Sequence, residues 1–301
     1  MNHGLIDIHF HGQGGFDVMS DDPDDLLGLS LRLKEQGVAG FLATFVSSTR
    51  KEIISSLETI KKVQGSEKGA RILGVHLEGP FLHPERKGAH NPRHLRPPDQ
   101  REVREWIAAG EGLVKLVTLA PELPGAHAAI RLLVRKGVRV SMGHTTATFE
   151  QAAAGKKLGA KSVTHLFNAM NPLHHRAPGL AGFAMVDDDL YTEVIADGVH
   201  VSDEIVKLVF RSRPRNKVIL ISDGFFLTGC PKGGTVQLGG VKVRAFEDGS
   251  LRLLDGTLAG SNSSLKDIVD RVLKMGAIPR ADVLAMVTTN PLALLGLPAP
   301  H

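Results

Sequence analysis

Eight short runs of β-forming residues, separated by helical patterns along the whole chain, constrain this sequence more than any other feature. The runs are Leu5 to Ile8, Phe41 to Phe45, Ile72 to Leu77, Leu116 to Leu119, Val138 to Met142, Ser162 to His165, Tyr191 to Ile195 and Val218 to Ile221. Strands alternating with helices make consecutive βα units, and their sheet is parallel. Helix starts are marked by Asp22-Pro23, by capping boxes at Thr49 to Glu52 and Thr148 to Gln151, and by Ser202 before Asp203-Glu204. Gly37, Gly110 and Gly137 mark helix ends. Eight such units predict a closed (β/α)8 TIM barrel, an α/β fold, over an open doubly wound sheet. After the eighth run, Thr235 to Leu254 alternates around Gly239-Gly240 and Asp248-Gly249, which predicts a β-hairpin insertion at 235–254. Helical segments at Ser264 to Met275 and Arg280 to Thr288 then complete the outer ring, and residues 1–301 are expected to form one domain.

The bulk properties agree with an ordinary globule. The 301 residues are 42% hydrophobic and 23% charged, close to globular averages. A net charge of +4 raises the question of a polyanionic partner, but the basic residues are scattered, as at Lys61-Lys62, Lys156-Lys157 and Arg211 to Arg215, with little aromatic interleaving. No nucleic-acid partner is expected, whereas a small anionic substrate fits. No apolar run reaches the roughly 18 residues of a membrane span. The beginning MNHGLIDIHFHG lacks a basic region followed by an apolar one, so a cytoplasmic protein with no membrane association is expected. The single cysteine, Cys230, has no activating histidine beside it in LTGCPKGG.

Nearly every predicted strand runs into a histidine or carboxylate at its C-terminal end. These are His9 and His11 after the first strand, Glu78 after the third, His144 after the fifth and His165 after the sixth. Asp197 to His200 follow the seventh strand and Asp223 the eighth. A barrel gathers all of these ends on the face where barrel enzymes build active sites. His9 and His11, two apart on an extended segment, project to one side and can share a metal ion. Imidazoles from His144 and His165 and a carboxylate from Glu78 add to that ligand set, which suits zinc, with iron or manganese as alternatives. Hydrolysis at such a site needs a proton carrier. Asp223 is the candidate, against the plainer reading of an aspartate that caps the turn at Gly224.

The stretches GVHLEGPFLHPERKGAHNP, VTLAPE, SMGHTTATFEQ, GAKSVTHLFNAMNP, RAPGLAG, ADGVHV, LISDG and TLAGS, spread from Gly74 to Ser261, resemble the N-acetylglucosamine-6-phosphate deacetylase family of the amidohydrolase superfamily. The resemblance implies Glu78, His144 and His165 as principal metal ligands and Asp223 as catalytic acid/base. One cation is the expected count, and His9 and His11 leave room for a second bridged by Glu78. Sugar-phosphate recognition is implied for Ala89, His90, Asn168, Ala169, Arg176, the Asp197, Gly198, Val199, His200 turn, and Leu258, Ala259 and Gly260. An arginine such as Arg176 can hold a phosphate bidentately, and backbone N–H groups can bind substrate oxygens. The reaction implied is deacetylation of N-acetylglucosamine 6-phosphate by metal-activated water, in a homodimer.

Family members also carry a small β-sandwich built from residues before the first barrel strand and after the last barrel helix. The present sequence starts at strand one and stops near Leu297, so a barrel lacking most of that sandwich is expected. Two other readings accompany the main one. The substrate can be another N-acyl amino sugar, such as N-acetylgalactosamine 6-phosphate, because the motifs do not resolve hydroxyl stereochemistry. A catalytically silent barrel that binds a sugar phosphate is the other, prompted by the missing sandwich.

Overall fold

The computed structural model describes residues 4–298 apart from 230–232, 239–240 and 247–248. Cys230, Gly239, Gly240 and Asp248 therefore lie outside the described residues. All eight expected strands form one parallel sheet in sequential order. They are β1 Leu5–Phe10, β2 Val38–Phe45, β3 Arg71–Glu78, β4 Val114–Leu119, β5 Arg139–Met142, β6 Ser162–Val163, β7 Tyr191–Val194 and β8 Val218–Leu220. The sheet curls into a barrel whose seam between β8 and β1 is closed in two places. Above, the His11 N–H donates to the Gly224 carbonyl (2.8 Å) and the Asp223 N–H to the His9 carbonyl (3.0 Å). Below, Ile6 and Leu220 donate instead to the carbonyls of Val287 and Met286, so a C-terminal segment completes the wall where strand pairing stops.

The helices cover the barrel because their apolar residues recur on one face. They are α1 Pro23–Glu35, α2 Arg50–Val63, α3 Gln100–Gly110, α4 Ala126–Arg135, α5 Phe149–Lys157, α6 Gly179–Val186, α7 Asp203–Ser212, α8 Leu265–Met275, α9 Arg280–Ala285 and α10 Thr289–Leu295. In α8, for example, Leu265, Ile268, Val269 and Val272 are buried while Lys266 and Asp270 pair on the outside. Each such aliphatic side chain contributes on the order of 1.5–3 kcal/mol by leaving water. Asp22 caps α1, and the expected capping boxes at Thr49/Glu52 and Thr148/Gln151 are both present. Ser202 stands at the N-cap of α7 without a side-chain cap bond.

Two expectations change. The chain does not stop being helical at Thr288, because α10 follows; its Pro291 lies in the first turn, where a missing N–H costs nothing. The segment after β8 is also more than a hairpin. It forms a three-stranded antiparallel sheet of β9 Thr235–Leu238, β10 Val241–Ala245 and β11 Leu251–Leu253. A small cluster of Phe225, Leu227, Val243, Ala245, Leu251, Leu253 and Ala259 gives this sheet its own buried face. The cluster anchors the stretch Thr257 to Gly260 beside the barrel mouth.

Candidate metal centre and substrate cavity

The barrel interior is apolar toward its base and polar toward its mouth. Below the mouth, His76 bridges Thr44 Oγ1 (Nδ1, 3.3 Å) and Thr118 Oγ1 (Nε2, 2.8 Å), and the chain continues through Thr164 to Ser141. Burial drives His76 well below the ordinary histidine range, with a further push from His9. A neutral ring there suits a position under a cationic centre. Three residues just past strand ends, His144 (φ 47°), His165 (φ 28°) and Asp223 (φ 49°), adopt left-handed backbone. Non-glycine residues pay on the order of 1 kcal/mol or more each for this conformation, so the strain is concentrated where the side chains converge.

Glu78 stands at the middle of the convergence. Its Oε1 lies 3.0 Å from both His144 Nε2 and His165 Nε2, and those two nitrogens are themselves 3.0 Å apart. On the other side, His9 Nε2 lies 3.3 Å from Glu78 Oε1 and 3.4 Å from Asp223 Oδ1. His11 Nε2 lies 3.3 Å from Glu78 Oε2 and 3.2 Å from the same Asp223 oxygen. All six groups are buried.

The far sides of the rings determine which nitrogens are free. His9 Nδ1 faces Glu193 Oε2 (3.1 Å), His11 Nδ1 the Thr44 carbonyl (2.9 Å), and His144 Nδ1 the Arg86 carbonyl (2.7 Å). These partners only accept, so each Nδ1 carries the proton and each Nε2 offers its lone pair to the centre, the arrangement of metal-bound histidines. His90 is the reverse. Its Nδ1 accepts from the Ser47 N–H (3.1 Å), so its Nε2 carries a proton and donates to Glu78 Oε2 (3.1 Å), which orients that carboxylate. His90 is thereby a poor ligand despite its place among the clustered donors.

This donor set fits divalent cations. Two imidazole lone pairs and a carboxylate oxygen 3.0 Å apart repel one another without a cation between them, and tetrahedral zinc at about 2.05 Å from each donor sets them about 3.3 Å apart. His9 Nε2 is buried with no hydrogen-bond partner among the described residues, although carboxylates stand on both sides. Glu78, His144 and His165 could together hold one divalent cation, and His9, His11 and Asp223 stand on the other side of Glu78 as a second group that could hold one. In the metal-free protein the same groups polarise one another. Burial opposes charge on His11, but its bonds to Asp223 and Glu78 prevail and raise it to about 9. Burial likewise opposes charge on Asp223 and Glu78, yet the surrounding histidines hold both carboxyls well below the usual range.

A cavity of about 410 Å³ opens over this centre, large enough for a sugar phosphate. Its wall includes Ala89, His90, Asn168, Ala169, His200, Leu258, Ala259 and Gly260 together with His11, Glu78, His144, His165 and Asp223. Gly88 (φ 55°) lets the loop cross close to His144, where a Cβ would lie 3.0 Å from the ring. Asp197, Gly198 and Val199 are not among the residues of the wall. Asp197 accepts from the N–H groups of Val199 and His200, from His200 Nδ1 (2.8 Å) and from Ser261 Oγ (2.8 Å), which fixes the His200 ring and turns Nε2 toward the cavity. Burial opposes charge on Asp197, but these bonds, led by that from His200, keep its carboxyl below its ordinary value.

Arg176 is exposed outside the cavity, its Nη1 beside His175 Nε2 (2.7 Å). The arginine in the wall is Arg86, half-buried and braced by Asn171 Oδ1 (2.6 Å). Sequence reasoning passed over Arg86 within PERKGAH, although a basic residue eight positions after Glu78 in a loop over the mouth was a usable signal. It also passed over Asp7, Thr44 and Glu193, which look like ordinary strand residues. Asp7, pushed up to about 6 by burial, accepts from Ser222 Oγ (2.5 Å) and pins the turn that carries Asp223.

A closed eight-stranded barrel with paired carboxylate and histidine donors above it defines a metal-dependent hydrolase. The chain belongs to the amidohydrolase family, whose model matches residues 4–300. It is 37% identical to the N-acetylglucosamine-6-phosphate deacetylase of Bacillus subtilis over 98% of this chain and 75% of that one. It is 36% identical to the N-acetylgalactosamine-6-phosphate deacetylase of Escherichia coli O157:H7, over 97% and 77%. The structure of the D267A mutant of N-acetyl-D-glucosamine-6-phosphate deacetylase from Mycobacterium smegmatis, in complex with N-acetyl-D-glucosamine-6-phosphate, superposes with a TM-score of 0.90 at 34% identity, covering 98% of this chain and 78% of that one. Among the described residues no helix is long and apolar enough to cross a membrane.

Proposed function

We propose that this protein deacetylates N-acetylglucosamine 6-phosphate, giving glucosamine 6-phosphate and acetate. The observation that carries the reading is Asp223. It lies against His9 and His11 at the floor of the cavity, held ionised by their charge, and it follows a strand where a proton-transfer group can be placed accurately. Residues 1–301 act as one catalytic domain in this reading, and the insertion at 235–254 supports part of the cavity wall.

Glu78, His144 and His165 hold the principal divalent cation, and His9, His11 and Asp223 flank a second position. Zinc suits this mixture of imidazole and carboxylate donors, with Fe2+ and Mn2+ as alternatives. A cation bound there lowers the pKa of water and polarises the amide carbonyl. Asp223 takes the proton from the attacking water and passes it to the sugar nitrogen as the C–N bond breaks. His200, fixed by Asp197, directs Nε2 at a substrate hydroxyl or the carbonyl oxygen. Arg86 supplies a permanent cation for the phosphate, and backbone N–H groups near Asn168-Ala169 and Leu258 to Gly260 bind sugar oxygens. Arg176 enters this scheme only as an outer contributor to phosphate binding. A cytoplasmic homodimer completes the reading, and sedimentation of the purified protein tests the dimer.

Acetate release from N-acetylglucosamine 6-phosphate, with and without added zinc, tests the proposal. Metal-dependent release is expected, faster than from the galactosamine epimer. A preference for that epimer would transfer the reading to N-acetylgalactosamine 6-phosphate, and no release from either by the metal-loaded protein would favour the silent sugar-phosphate-binding barrel.

A further inference from the structure

Glu193 is a carboxylate in the barrel wall, on β7, with no exposed surface. Burying a carboxylate is costly unless it is well paired, so its partners indicate what it does. One oxygen, Oε2, accepts from His9 Nδ1 (3.1 Å) and lies 3.4 Å from the backbone N of His165. The other, Oε1, has no hydrogen-bond partner among the described residues. The carboxylate thus serves two neighbouring donors of the centre and little else.

His9 differs in this from the other two rings whose far sides are held. His11 and His144 rest on backbone carbonyls, which any sequence supplies, whereas His9 depends on one side chain. Two consequences follow from general chemistry. An acceptor at Nδ1 forces the tautomer that frees Nε2, and an acceptor with a full negative charge makes that imidazole a stronger donor than a carbonyl would. Without Glu193, His9 can rotate or carry its proton on Nε2, where it would oppose a cation.

We propose that Glu193 is the positioning residue for the cation position formed by His9, His11 and Asp223, and that this position loses its hold when Glu193 is removed while the Glu78, His144 and His165 position keeps its own. The inference rests on the metal-dependent reading of the centre and is independent of which sugar phosphate is turned over.

The test is stepwise zinc binding to metal-free protein, followed by competition with a chelator and by metal analysis after dialysis. The wild type is expected to bind two zinc ions. Glu193→Ala should weaken one of them about 10–100-fold and leave the other unchanged. Glu193→Gln, which retains an acceptor for His9 Nδ1 without the charge, should lie between. Cobalt substitution adds a spectroscopic readout, since loss of His9 from the ligand sphere alters the visible absorption of one site only. Two unchanged affinities in both variants would overturn the proposal, as would a wild type that binds a single zinc or an equal loss at both positions. Should Glu193→Ala fail to fold, Glu193→Gln decides the matter alone, because it is isosteric and a purely structural role would leave its zinc affinities untouched. Normal zinc effects with no deacetylation would leave the proposal standing and remove only the proposed substrate.

Discussion

Asp223, Arg86 and Arg176 carry the sharpest expectations for single residues. Replacing Asp223 by Asn removes the proton acceptor and leaves Glu78, His144 and His165 intact, so zinc is retained at that position while kcat falls by a factor of about 100–10,000. Wild-type turnover would remove Asp223 from the mechanism. Arg86→Ala should raise KM for N-acetylglucosamine 6-phosphate by about tenfold or more, with little change toward the unphosphorylated sugar. Arg176→Ala in the isolated subunit should matter less, because its guanidinium is outside the cavity beside His175. Equal effects of Arg86→Ala on both sugars would contradict its phosphate role.

Among the elements, the segment from α9 to α10 does what no barrel strand does, since it finishes the seam. Its Met286 and Val287 carbonyls receive donors from both β8 and β1, and Asn290 Nδ2 donates to the carbonyls of Arg215 (2.8 Å) and Val218 (2.7 Å). Asn290→Ala leaves buried acceptors without that donor and should cost about 1–3 kcal/mol, read as a lower urea midpoint with an unchanged slope. A midpoint within error of the wild type would show that the seam is held by packing alone. Helix ends along the chain were legible because a cap is a local bond: Thr49 with Glu52 and Thr148 with Gln151 sit three residues apart. The ends of β6 were not. The run Ser162 to His165 reads as strand to its end, but the left-handed φ of 28° at His165 ends the strand at Val163 and turns the ring into the centre.

In the molecule as a whole, the buried charges tie stability to pH and to metal. The pKa of His11 rises from 6.5 to about 9 in the folded, metal-free protein. That raised value stabilises the fold fully below pH 6.5, and the contribution is lost as pH climbs through about 9. The lowered Glu78 and Asp223 act oppositely, stabilising at pH above their ordinary values of 4.5 and 3.8 and losing this as pH falls. Cations compete with those protons, so zinc uptake should release protons in weakly buffered solution between pH 6.5 and 9. The rise in Tm on adding zinc should grow over the same interval. A pH-independent Tm shift with no proton release would show that His11 is not displaced from its carboxylates by metal.

The order and number of the eight strands, the caps, and the concentration of His9, His11, Glu78, His144, His165 and Asp223 at strand ends were readable from residue order alone. Each depends on spacing over a few residues, and parallel strand order carries all the ends to one face. What the tertiary structure decided depends on contacts between residues far apart in the chain. His90 became an orienting donor because Ser47 meets its Nδ1, and Asp197 a support because His200 and Ser261 reach it. Arg86, and not Arg176, entered the cavity wall because Asn171 braces it there. Glu193 gained its place beside His9 only when closure of the barrel left β8 alone between β7 and β1, a separation of 184 residues in sequence that no local pattern records.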